Sequence, residues 1–231
     1  MLARMSVSIA LRAWTVAAVA CAALTACAPH AAKVATRSSG MGIDPFGHTR
    51  MSEARDVVPA GEMAHTQRLL AMLRNDLVRY RDPAAAERDG FLKEGEDVPA
   101  GSLKHFFKYE NFAKNQTHLD PKAPAAILYR RTASGFELAG VMFTAPITAS
   151  MDDLDRRVPL ALGHWHSHRN ICVPHKDAPP LATHAQRAPF GFEGTITTRA
   201  ACDAANGVFL DNVYGWMTHV YPYAPTLADA F

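Results

Sequence analysis

The chain has 231 residues, 48% of them hydrophobic, with 24 Lys and Arg against 22 Asp and Glu. Arg4 and Arg12 are the only charged residues among the first 26, so the remainder carries 22 charges of each sign. That neutrality argues against a nucleic-acid partner, which needs a basic face, and the length suits one domain around one core.

After Arg12 comes an apolar run of small residues over 13–23, too short to span a bilayer as a helix. It ends in Leu24-Thr25-Ala26-Cys27, which resembles the lipobox of bacterial lipoproteins. The resemblance implies that residues 1–26 are a signal peptide and that Cys27 carries lipid as a membrane anchor. It places the mature chain in the cell envelope. Ala28, where an aspartate would retain the protein at the inner membrane, implies the outer membrane facing the periplasm. An ordinary cleaved signal with an incidental cysteine is the alternative.

Residues 27–58 mix Ala, Ser, Gly, Pro and charge without a period and read as a flexible tether. Residues 59–231 are expected to form a single α+β domain. Within it, Leu69, Leu73, Leu77 and Tyr80 recur at helical spacing, with Leu70 widening the stripe. They predict an amphipathic helix over 61–81, ended by Pro83. Residues 87–103 read as loop. Residues 125–132 and 136–143 predict two strands joined at Ala133-Ser134-Gly135 as a hairpin.

Ser150 and Asp153 predict a capping box on a short helix through Arg157. Residues 159–173 predict a third strand, and 178–193, with three prolines, a long surface loop. Residues 198–206 predict a short helix stopped by Gly207, and 208–221 one or two further strands. The sum is a mainly antiparallel sheet with an N-terminal amphipathic helix and a short helix in the C-terminal half. Of the four cysteines, Cys21 lies in the signal and Cys27 is the lipidation residue. Cys172 and Cys202 remain as an even pair in an oxidising compartment, and a disulfide between them is expected. Two free thiols, or Cys172 as a metal ligand, are the alternatives.

The segment that speaks most of function is Gly163-His164-Trp165-His166-Ser167-His168-Arg169-Asn170-Ile171-Cys172. Alternation along a strand would put His164, His166, His168, Asn170 and Cys172 on one face. Neighbours on that face lie about 7 Å apart, so two imidazoles can converge on one ion while the outer pair of three cannot. Zinc and copper both accept neutral imidazole. Further ligands are sought among His219, in an aromatic-rich strand, and His105, in an apolar setting. His118, His175 and His184 sit in loop-like sequence and read as solvated. His30, His48 and His65 fall in the tether or the first helix.

The order of blocks is His105-Phe106, Asp120-Pro121, the hairpin with Leu128-Tyr129 and Leu138-Ala139-Gly140-Val141, then Trp165-His166-x-His168-x-Asn170-x-Cys172, and Gly215-Trp216-Met217-x-His219-Val220. It resembles a group of uncharacterised bacterial secreted proteins over residues 60–223. No activity comes with the resemblance. It favours His166 and His168 over His164 and pairs them with His105 and His219.

The expected function is a membrane-anchored periplasmic lipoprotein binding a transition metal, zinc or copper, through histidines. Met142, Met151 and Met217 are available as soft ligands for copper. A metal-dependent hydrolase is one alternative. Glu110, Asp120, Glu137 and Glu193 could supply its base, but there is no His-Glu-x-x-His or Gly-x-Ser-x-Gly motif. A non-metal envelope binding protein, with the histidines as a polar network, is the other.

Overall fold

The computed structural model describes residues 46–93, 95, 98–175 and 189–231. The expected signal peptide, Cys27 and the tether as far as residue 45 lie outside them, as do His30, His184 and most of the expected 178–193 loop.

Seven strands form one antiparallel sheet: β1 Thr49–Met51, β2 Leu92–Lys93, β3 Leu103–Phe107, β4 Ala126–Thr132, β5 Gly135–Ala145, β6 His166–Pro174 and β7 Gly207–Val220. Their order across the sheet is β1-β6-β7-β5-β4-β3-β2. Helices α1 Glu62–Asp76, α2 Pro83–Arg88, α3 Glu110–Lys114, α4 Met151–Arg157 and α5 Arg199–Ala204 connect the strands. The protein is thus α+β with an antiparallel sheet.

One face of the sheet holds the main core. Phe106, Ile127, Tyr129, Val141, Phe143 and Trp216 pack there against Leu69, Leu70, Leu73 and Leu77. Burying each such leucine contributes about 1.5–3 kcal/mol. The chain tightens into a 3-10 turn over Leu77–Arg81 instead of continuing α1. Asp82 then accepts from the Ala84 amide and Pro83 occupies the first turn, so α2 starts there. Residues 87–103, expected to be loop, therefore contain the end of α2 and β2.

Several local expectations hold. β4 and β5 form the hairpin, with Thr132 opposite Gly135. Ser150 and Asp153 form the capping box of α4. Cys172 and Cys202 are bonded, with their Cα atoms 5.6 Å apart. The bridge closes a loop of sequence separation 30, a constraint on the unfolded chain of about 3–4 kcal/mol in the entropic account. It removes Cys172 from the candidate ligands.

Four expectations need correcting. The third strand starts at His166 and not at 159, because the amides of Leu162 and Gly163 both donate to the Pro159 carbonyl and close a turn. The left-handed stop after α5 is Asn206, at φ 53°. Gly207 serves a different need: a Cβ there would lie 2.5 Å from the Cys172 sulfur. Alternation along β6 fails at Asn170, whose φ of 56° lets Ile171 and Cys172 both be buried. Finally, the tether is shorter than expected. Residues 46–58 include β1, which pairs with β6, and His48, which is buried with its Nε2 2.8 Å from the Gly194 carbonyl.

β7 bends in mid-course. His166 is opposite Met217 and His168 is opposite Val213, so β7 carries three residues where β6 carries one. Tyr214 and Gly215 take up this bulge with φ of 62° and 75°. A Cβ on Gly215 would lie 2.5 Å from the Ala145 carbonyl oxygen, so only glycine fits.

Candidate metal centre

The other face of the sheet carries the histidines. Its floor is Ala126, Leu128, Met142 and Met217, a second, smaller apolar cluster. Strand register sets the rest: His105 lies opposite Leu128, His219 opposite Met142, and His166 opposite Met217. His105 and His219 belong to strands separated by β4 and β5, yet their rings meet across those strands. Their Nε2 atoms are 3.2 Å apart.

The His166 ring lies 5.4 Å from that of His219 and 5.3 Å from that of His168, centroid to centroid. Four of the five candidate ligands therefore form one chain of imidazoles, His105–His219–His166–His168. His164 precedes β6 and takes no part in these ring contacts. Among the described residues, no group of three or more His, Cys, Asp or Glu side chains is arranged to hold an ion as it stands. His105 and His219 are at ligand separation, and His166 and His168 stand beside them in ring contact.

Burial keeps these rings neutral. It pushes His105 down to about 4, with the charges of His168 and Lys104 adding to the effect. It pushes His166 down to about 3, helped by His168 and His105. His219 is held well below the usual histidine range, by burial first and then by His105, His166 and His168. Neutral imidazole is the form that binds a metal. His166 is 5% exposed, and its ring contacts those of His168 and His219.

Side chains around the group orient it. The Tyr221 hydroxyl is 3.2 Å from His219 Nδ1, and the Thr49 hydroxyl is 3.4 Å from His168 Nδ1. His105 stacks on Phe107, with centroids 5.5 Å apart and planes 13° from parallel. Phe192, 51% exposed, stands edge-on to His168 at 4.7 Å. Phe107 is also in ring contact with Tyr214 at 5.4 Å, so the strained bulge supplies part of this wall.

Sequence reasoning did not single out Tyr221, Thr49 or Phe192. Tyr221 was within reach, since it lies two residues from His219 and shares its face. Thr49 was not, because it sits in sequence that reads as tether.

Two of the carboxylates considered as a catalytic base have partners of their own. Glu110 pairs with Lys108 and Lys114, and the Asp120 carboxylate accepts from the Lys122 amide. Glu137 lines a separate cleft of about 410 Å³ with Arg130 and Tyr223. Glu193 is exposed. Of the methionines, Met142 and Met217 lie under the histidines, whereas Met151 packs on the main core. His118 contacts the Thr117 hydroxyl at an exposed position. No family model, curated protein or solved structure matches the chain.

Proposed function

We propose that this is a membrane-anchored periplasmic lipoprotein that binds zinc or copper through His105, His219, His166 and His168. The observation that carries the reading is the 3.2 Å between Nε2 of His105 and Nε2 of His219. Two nitrogens bound to tetrahedral zinc at 2.0–2.1 Å stand about 3.3–3.4 Å apart. The same separation also fits a hydrogen bond between the rings, which is what a non-metal polar network would make. The His166 ring, in contact with both His219 and His168, weighs for the ion because it offers further nitrogen donors beside the pair. The lipid anchor rests on the lipobox-like Leu24-Thr25-Ala26-Cys27.

Elemental analysis of the mature chain after exposure to zinc and to copper tests the metal. The expected result is about one equivalent bound, lost in His105→Ala/His219→Ala. A wild-type protein that retains neither ion overturns the reading and leaves the polar network. Mass spectrometry of the membrane fraction tests the anchor, and a Cys27 without acyl chains overturns that part alone.

A further inference from the structure

The proton count at the paired imidazoles constrains their neighbours. Two neutral rings joined Nε2 to Nε2 at 3.2 Å need one protonated Nε2 and one bare Nε2. An ion between them needs both Nε2 atoms bare, so each ring must then carry its one proton on Nδ1. Passing from the first state to the second shifts one proton from Nε2 to Nδ1 on a single ring, with no net proton gained or lost. Where the ring that shifts is His219, the group beside its Nδ1 must tolerate both tautomers; where it is His105, that group must accept from a standing Nδ1–H on His219.

That group is the Tyr221 hydroxyl, 3.2 Å from Nδ1. A hydroxyl donates to a bare Nδ1 and accepts from a protonated one. An ionised carboxylate could only accept, and would fix the metal-ready tautomer permanently. Tyr221 is itself held in place. Its amide donates to the Ala230 carbonyl, its ring packs on the second apolar cluster, and it stands edge-on to His219.

We infer that Tyr221 is a positioning residue of the metal centre, which holds His219 with its Nε2 lone pair towards His105 while letting the ring change tautomer as the ion enters and leaves. This rests on the metal reading above. A hydroxyl in this place suits a site that loads and releases its ion.

The test is competition for zinc between a chromophoric chelator and the mature chain, comparing wild type, Tyr221→Phe and Tyr223→Phe. Tyr223 is a fitting control, because its hydroxyl donates to the Arg74 carbonyl. Tyr221→Phe keeps the ring and is expected to bind zinc about 10- to 100-fold more weakly, whereas Tyr223→Phe matches wild type. The ¹⁵N signature of His219 in the zinc-loaded wild type is expected to show the Nδ1–H form. Equal affinity of Tyr221→Phe and wild type, or equal losses in both variants, overturns the role of Tyr221 and leaves the metal reading intact. A wild type that binds no zinc or copper overturns both.

Discussion

The two faces of the sheet are built from the same strands to opposite ends. On the α1 face the inward positions are mostly apolar, and Phe106, Phe143 and Trp216 are closed over by leucines. On the other face the same strands present His105, His219 and His166 above a thin floor of Met, Leu and Ala. Alternation makes this possible, because each strand gives one set of side chains to each face. One side supplies most of the apolar burial, and the other holds three imidazoles in the neutral form even in mild acid.

That division can be broken by experiment. The largest effect belongs to the α1 face: Leu73→Ala is expected to cost about 2–5 kcal/mol in chemical denaturation, and a smaller loss would mean that the helix is dispensable. Next is the disulfide. Replacing Cys172 and Cys202 with alanine should cost about 3–4 kcal/mol without changing metal content, since neither sulfur is free to coordinate.

Acid acts on the histidine face. His105, His166 and His219 have folded-state pKa values below the unfolded value of about 6.5. Below that pH the unfolded chain binds more protons than the folded one. Metal-free protein should therefore lose up to about 1.4 kcal/mol per pH unit for each such ring. The loss should begin near pH 6.5 and continue towards pH 4, with bound zinc opposing it. A stability flat over that range in the metal-free protein would mean that these rings are solvated.

The smallest effect has the opposite sign. His166→Leu replaces a buried polar ring with an apolar side chain and is expected to raise metal-free stability by about 1 kcal/mol, while weakening metal binding. A destabilised His166→Leu would show that the ring has structural work to do.

What could be read from the sequence was local. The capping box at Ser150, the hairpin around Gly135 and the cysteine pair each depend on residues close in the chain or few in number. The histidines at 166 and 168 were legible from alternation, which survives as far as Asn170. The start of β6 was not, because Leu160 to Leu162 are apolar enough for a strand and only the Pro159 carbonyl shows that they turn. The meeting of His105 with His219 spans 114 residues and depends on β7 lying beside β5, an order that no local pattern encodes. His219 and His105 could be nominated by their apolar settings, but not paired by them.

β1 is three residues long and sits at the sheet's edge, with Thr49 opposite His168 and Met51 opposite His166. The leading backbone of the described residues is thus laced to the strand that bears two of the imidazoles. A pull applied at residue 46 is delivered to that ladder before it reaches the hydrophobic interior. Short edge pairings are among the first to part under load. A chain tethered at its front would feel tension at the histidines sooner than anywhere else in the sheet.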